Sequence, residues 1–195
     1  MDKRQEPESE YSVDYRNVKH PRLEFKTGSL LLVLPKSYKS EEQVLEKYRN
    51  WIQRKQSLID RALEDAETRS LNKNRTDNEL RKLVQKLTQN YQKELETGIG
   101  KTYFRRMKTK WASLSHNNNL TVNTLVKYMP ENLIEYVIFH ELVHSKHGRK
   151  HNEEFWKATG KKFKNCKERE NELLIYWFLI QKREKEQKSP ERVCQ

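Results

Sequence analysis

The residues with the clearest potential for chemistry are two histidines and a glutamate in the run His-Glu-Leu-Val-His at positions 140–144. In an α-helix, residues four positions apart lie one above the other, so His140 and His144 would face the same side and could bind one metal ion. Glu141 would lie beside that ion without binding it. In zinc hydrolases such a glutamate accepts a proton from a metal-bound water molecule. The pattern therefore predicts a catalytic metal site with Glu141 as the general base.

A catalytic zinc ion usually has three protein ligands, so the sequence must supply a third one. His147 lies on the same helix face, but it is about 10 Å from the first histidine along a straight helix, and two ligands of one zinc ion are only about 4 Å apart. Gly148 can end the helix and let the chain fold back to present His151. We therefore favour His151 as the third ligand and place His147 last. A downstream carboxylate stays open as an alternative, either Glu168 or Glu172.

These residues must be positioned by a helix that starts near Pro130. Proline suits the first turn, because its missing N–H would have no partner there. The apolar residues of this run leave almost no polar face; they are Leu133, Ile134, Tyr136, Val137, Ile138 and Phe139. Two histidines and a glutamate would be costly to bury in such a helix without partners. The surroundings of the motif therefore favour a metal site over a chance match.

The first half of the chain predicts a hairpin and two long helices. Residues 23–34 begin with apolar and charged residues in alternation, turn at Thr27-Gly28 and end in an apolar run, which is typical of a β-hairpin. Ser40 and Thr76 are each followed three residues later by Gln or Glu, and this capping-box pattern marks a helix start. We expect the two helices to end near residues 69 and 98.

A second hairpin is predicted directly before the active-site helix. Residues 102–113 alternate and contain aromatic side chains, so we expect one strand there, and residues 120–124 form the next strand. The three asparagines at 117–119 supply the turn. The strand at 120–124 could also align an extended peptide substrate by β-augmentation.

Two further helices follow the motif. Phe155 begins a short helix that we expect to be interrupted near Gly160, and a last helix covers residues 168–185. Two hairpins with about five helices make the fold class α+β. The length suits one domain, and the predicted organisation is a polar tail over residues 1–15, a single domain over residues 16–183 and a charged tail over residues 184–195.

Composition gives the broad class of the protein. The 195 residues include 40 Lys and Arg against 28 Asp and Glu, a net charge of +12, which fits either a solvated surface or an anionic partner. Two cysteines, Cys166 and Cys194, make neither a disulfide framework nor a cysteine-rich zinc site. The start has no apolar signal segment, and no run is long enough to span a membrane. We therefore expect a cytoplasmic protein without a membrane partner.

Four runs of the sequence together resemble a known family. They are Met-Lys-Thr-Lys-Trp-Ala-Ser at 107–113, Leu-Thr-Val-Asn at 120–123, Tyr-Val-Ile-Phe-His-Glu-Leu-Val-His at 136–144, and Phe155-Trp156 after His151. In this combination the chain resembles the YgjP-like zinc metallohydrolases, a family related to the SprT-like and WLM peptidases. The similarity extends over residues 18–180. The chain departs from the family at Ala112 and Leu114, where glycine and cysteine are usual.

The resemblance implies a fold, a cofactor and a set of roles. The fold would be a small zincin-like domain with a short mixed or antiparallel sheet over a buried active-site helix, together with the long N-terminal helices. One zinc ion per chain would be held by His140, His144 and His151, with Glu141 as the base. The implied activity is that of a zinc metallopeptidase acting on polypeptides.

Two other functions use the same site with a different substrate. The basic segment after the motif would attract phosphates, so the site could hydrolyse nucleotide phosphoanhydrides, or the chain could be a SprT-like protease associated with nucleic acid. Any such nucleic-acid binding would be mostly electrostatic. The side chains that we consider as substrate or anion contacts are Arg105, Arg106, Lys146, Arg149, Lys150 and Tyr176.

Overall fold

The structure is a computed structural model and describes residues 11–26, 29–38 and 40–188. The described residues form five α-helices and two three-stranded sheets, so the predicted α+β class is confirmed. The chain divides into two compact units, residues 1–65 and 66–195. The long helix α1 (Glu41–Glu67) starts in the first unit and ends at the beginning of the second. The single domain over residues 16–183 stays a prediction, because two compact units can belong to one domain.

The first unit contains a mixed sheet whose central strand is buried. Its strands are β1 (Tyr11–Arg16), β2 (Arg22–Lys26) and β3 (Ser29–Pro35). Strand β3 lies in the middle, parallel to β1 and antiparallel to β2. One face of β3 packs on the start of α1, through a cluster of Leu30, Leu32, Leu34, Val44 and Ile52. The hairpin of β2 and β3 is confirmed, and its predicted turn at 27–28 lies outside the described residues.

Strand β1 starts inside the segment that the sequence predicts as a polar tail. Residues 11–15 belong to this strand, and Val13 is aligned with Leu32 of β3. Tyr11, Val13 and Tyr15 share one face and alternate with the polar Ser12 and Asp14. Residues 1–10 lie outside the part of the chain that the structure describes.

The second unit contains four further α-helices. The helices are α2 (Asp77–Glu94), α3 (Glu131–His147), α4 (Glu153–Lys162) and α5 (Cys166–Lys188). The predicted capping box at the start of α2 is confirmed, since the Thr76 hydroxyl accepts from the N–H of Glu79, whose carboxylate accepts from the N–H of Thr76. Of the described helices, none is long and apolar enough to cross a membrane.

Two helix boundaries differ from the prediction. Helix α4 continues through Gly160, where the sequence predicts an interruption. Glycine inside a helix costs only about 1 kcal/mol relative to alanine, and α4 is held by the fully buried Phe155 and Thr159. Helix α5 extends past residue 183 to Lys188, inside the predicted charged tail; residues 189–195, with Cys194, lie outside the described residues.

The second sheet is built differently from the predicted hairpin. Its strands are β4 (Thr102–Arg105), β5 (Ala112–Leu114) and β6 (Leu120–Asn123), with β6 between a parallel β4 and an antiparallel β5. The hairpin of β5 and β6 is confirmed, but the single strand over residues 102–113 is wrong. The predicted peptide-binding role of residues 120–124 is also wrong, because both edges of β6 are occupied.

A buried asparagine explains the break between β4 and β5. Asn123 is fully buried, and its amide nitrogen donates to the carbonyl oxygens of Met107 (2.9 Å) and Lys110 (2.8 Å). Its Oδ1 accepts from the N–H of Met107 at 3.2 Å. These bonds satisfy a buried amide and draw residues 106–111 out of the sheet.

Candidate metal centre

Helix α3 brings the two histidines of the motif to one face. It starts after Pro130 and ends at Gly148, whose φ of 76° lies in the left-handed region. Both ends agree with the sequence prediction. The imidazole rings of His140 and His144 are 5.2 Å apart between centroids, as expected for neighbours on successive turns.

The chain after Gly148 turns back and brings His151 to the other two histidines. The Nε2 atom of His151 lies 3.0 Å from Nε2 of His140 and 3.0 Å from Nε2 of His144. The three side chains form a group whose ligand atoms all lie within 4.8 Å of one another. Three imidazole nitrogens that converge in this way match the donor set of a catalytic zinc site.

The alternative third ligands lie elsewhere. His147 lines a separate cavity with Phe139 and Lys161. Among the downstream carboxylates, Glu168 accepts from the amide of Asn165 at 2.8 Å, and Glu172 faces Arg69 at 3.7 Å. The structure therefore brings His151, and none of these three residues, to the histidine pair.

A backbone carbonyl sets the orientation of one imidazole. His144 Nδ1 lies 2.7 Å from the carbonyl oxygen of Gly148. Because a carbonyl can only accept, Nδ1 of His144 carries the proton and its Nε2 presents a lone pair. Metal-binding histidines commonly use their second nitrogen in this way.

An aromatic ring packs against all three imidazoles. Phe155, in the first turn of α4, is fully buried. Its centroid lies 4.5 Å from that of His144, 4.8 Å from that of His140 and 4.7 Å from that of His151. Trp156 adds a ring 5.6 Å from His151. These contacts fix the loop that carries His151 and exclude water from one side of the site.

The surroundings of His140 and His144 favour the neutral imidazole, the form that binds a metal. Burial, together with smaller contributions from the neighbouring His144 and His151, lowers the pKa of His140 to about 3. Burial also lowers the pKa of His144. Three converging imidazoles, of which His140 and His144 are held neutral, fit a divalent zinc ion, which prefers nitrogen donors.

Glu141 lies in the same site with a perturbed acidity. Burial raises the pKa of its carboxyl to about 7, although the N–H of Leu114 and the charge of Lys110 oppose this shift. Its Oε2 accepts from the backbone N–H of Leu114, in β5, at 2.9 Å. One oxygen is thus held by the sheet, and the group can take up or release a proton near neutral pH.

The histidines and Glu141 lie in a cleft of about 850 Å³. The strand β5 lines it together with Trp111, Lys110, Arg149 and Glu170.

Of the six predicted substrate contacts, Arg149 lines the described part of this cleft. Arg106 instead pairs with Glu184, Tyr176 is buried in the core, and Lys146 lies near Glu96. Arg105 ends β4, and Lys150 is exposed in the loop after α3.

Sequence reasoning missed several groups of this site. The N–H of Leu114 carries no signal in the sequence, because any residue has one. Glu170 lies one turn before the buried Leu173 on α5, and this helical spacing could have indicated that its side chain lies on the inner face of the helix. Asn123 ends β6 as the sequence predicts, but only its complete burial reveals that its amide also holds the segment between β4 and β5.

Comparisons with known proteins identify the family of this chain. Two solved structures are similar over 47% of this chain, both at 26% identity: the metallopeptidase zymogen abylysin of Pyrococcus abyssi (TM-score 0.44, 91% of that chain) and the metallopeptidase zymogen jannalysin of Methanocaldococcus jannaschii (TM-score 0.43, 93% of that chain). No curated protein matches. The family model of the YgjP-like metallopeptidase domain matches residues 61–175, more than half of the chain and narrower than the predicted 18–180. The chain therefore belongs to the YgjP-like family and is a metal-dependent peptidase.

Proposed function

We propose that this chain is a zinc metallopeptidase that holds one zinc ion through His140, His144 and His151. The observation that carries the proposal is the convergence of three imidazole Nε2 atoms in the cleft that also contains the Glu141 carboxyl. A zinc ion bound there would lower the pKa of a water ligand towards about 7 and polarise a substrate carbonyl.

Glu141 is the general base in this proposal. Its carboxylate lies in the same cleft as the three imidazoles and would accept a proton from the attacking water and return it to the leaving amine. The bond from Leu114 holds Oε2 and leaves Oε1 for this transfer. A carboxyl that is fixed at one oxygen needs little reorganisation during the reaction.

The edge strand β5 is the proposed binding site for an extended polypeptide. In an antiparallel pair, alternate residues direct their backbone groups to the partner strand. Trp111 and Ser115 bond with β6 or its turn, so Ala112 and Leu114 direct theirs outward. Since the Leu114 N–H already serves Glu141, a substrate strand would bond with both backbone groups of Ala112 and with the Leu114 carbonyl.

Two cations at the cleft define a preferred substrate class. Lys110 and Arg149 line the cleft and are exposed, and within residues 40–188 no ion pair is formed by either. Lys146 and Lys162, beyond the cleft, have Glu96 and Glu94 as neighbours. We infer that acidic residues beside the scissile bond improve binding. The same cations would attract nucleoside triphosphates, which makes nucleotide hydrolysis the alternative that the experiment must exclude.

The test is metal analysis combined with a substrate panel for the wild type and Glu141→Gln. We expect one zinc per chain in both proteins, cleavage of unstructured polypeptide by the wild type, and loss of cleavage in the variant. Glu154→Gln, an exposed carboxylate of α4, is the matched control and should keep full activity. Full peptidase activity in Glu141→Gln would refute the role of the base. Phosphate release without peptide cleavage would favour the nucleotide alternative.

A further inference from the structure

One buried nitrogen of the proposed metal site forms no hydrogen bond within the part of the chain that the structure describes. His140 Nδ1 is buried and has no hydrogen-bond partner among the described residues. An imidazole that binds a metal through Nε2 carries its proton on Nδ1, and a buried N–H without an acceptor is destabilising. His144 meets this requirement with the Gly148 carbonyl, whereas His140 does not.

A carboxylate of α5 lies in position to supply the missing acceptor. Glu170 Oε1 is 3.7 Å from His140 Nδ1, which is just beyond a hydrogen bond. Its side chain is 43% exposed, so the carboxylate has room to move by the small distance that is needed. It faces Nδ1, while Nε2 of the same ring faces His144 and His151. Glu170 is therefore placed to orient the ring and not to join the ligands.

A buried tyrosine holds this carboxylate at the ring. The hydroxyl of Tyr136 donates to Oε1 of Glu170 at 2.7 Å. Tyr136 is fully buried, lies one turn before His140 on α3, and its ring is 5.9 Å from the imidazole. A carboxylate oxygen can accept two hydrogen bonds, so the same atom can serve Tyr136 and His140.

We propose that Glu170 is a positioning residue that accepts the Nδ1 proton of His140, and that Tyr136 holds it in place. This inference rests on the proposed zinc site. By fixing the tautomer and the ring angle of His140, Glu170 raises the affinity for zinc. Loss of such a partner costs about 10- to 100-fold in metal affinity.

The test measures the zinc affinity of the full chain by competition with a chromophoric chelator. We expect Glu170→Ala to weaken zinc binding by about 10- to 100-fold, and Glu170→Gln to fall between this variant and the wild type, because its amide oxygen accepts without a charge. Tyr136→Phe should cause a smaller loss. Glu172→Ala is the matched control; it lies two residues away on α5, faces Arg69 and should bind zinc like the wild type.

A second readout separates orientation from a general loss of structure. In the zinc-loaded wild type labelled with 15N-histidine, the His140 Nδ1–H should give a downfield, slowly exchanging proton signal, which should be lost in Glu170→Ala. Unchanged affinity and an unchanged signal in Glu170→Ala would overturn the inference and leave the zinc site standing. A wild type that does not bind zinc would overturn the proposed function itself. If Glu170→Ala does not fold, the zinc affinities of Glu170→Gln and Tyr136→Phe provide the test, and wild-type affinity in both would overturn the inference.

Discussion

Glu141 is a carboxyl whose burial opposes its own ionisation. Its pKa is raised from the ordinary 4.5 to about 7 in the fold, so between these values the folded chain binds more protons than the unfolded chain. The stability due to the protonated form is full below pH 4.5 and is lost as the pH rises to about 7. We expect metal-free Glu141→Gln, which cannot ionise, to be more stable than the metal-free wild type at pH 8.

Thermal unfolding in the presence of a chelator, from pH 4.5 to 8, measures this difference. The gap between Glu141→Gln and the wild type should grow with pH and level off above about 7. The exposed Glu154→Gln should follow the wild type throughout. A Glu141→Gln variant that is less stable than the wild type at pH 8 would contradict the assigned burial.

The choice between His151 and His147 can also be decided at the level of one residue. His151 meets the histidine pair, whereas His147 lines another cavity. We expect His151→Ala to weaken zinc binding by roughly 100-fold, since structural zinc sites with four protein ligands gain about 3 kcal/mol of binding free energy per ligand. His147→Ala should bind zinc like the wild type in the same competition assay. Equal losses in the two variants would mean that the site uses another ligand set.

Among the elements, the end of α3 depends on a residue that only glycine suits. Gly148 has a φ of 76° and a ψ of −174°, a conformation that costs other residues about 1–3 kcal/mol. We expect Gly148→Ala to lower the free energy of unfolding of the metal-free protein by about 1–3 kcal/mol, measured in urea. Gly160→Ala is the control within α4, where the added methyl group meets no atom within 4 Å; it should stabilise the protein by up to about 1 kcal/mol. The same sign for both variants would rule out this account of the helix end.

The elements that the sequence predicted are those with local signals. Thr76 and Glu79, three residues apart, mark the start of α2, and Gly148 alone marks the end of α3. The break between β4 and β5 is not local, because it depends on Asn123 reaching carbonyl oxygens 13 and 16 residues away. Parallel pairing of β4 with β6 likewise joins distant segments, and a propensity argument sees only neighbours.

At the scale of the whole molecule the same distinction separates the predicted part of the site from the missed part. His140, Glu141, His144 and His151 fall within twelve consecutive residues, so spacing and ligand geometry were sufficient to select them. Leu114 reaches Glu141 from 27 residues away, and Glu170 reaches His140 from another helix. Groups that orient the reacting residues come from the tertiary fold, and sequence spacing alone does not reveal them.

The charge of the cleft gives a prediction for the whole enzyme. We expect reversal of Arg149 to Glu to raise KM for a peptide with acidic residues beside the scissile bond by about two- to fivefold, with little change for a neutral peptide. The wild-type preference should weaken as salt is added. Lys157 lies in the separate cavity near His147. Lys157→Glu therefore makes the same change of charge outside the cleft, and it should leave KM unchanged for the acidic and for the neutral peptide. Equal effects on both peptides would argue against charge recognition.

The Gly148 carbonyl links the end of α3 to the orientation of His144. It becomes available to His144 only because the chain has left the helix at this residue, and the bond then gives the imidazole the tautomer that a metal requires. Fraying or extension of the last turn of α3 would thus remove a ligand without altering any ligand residue. In the proposed zinc site, metal binding therefore depends on the residue at which α3 ends.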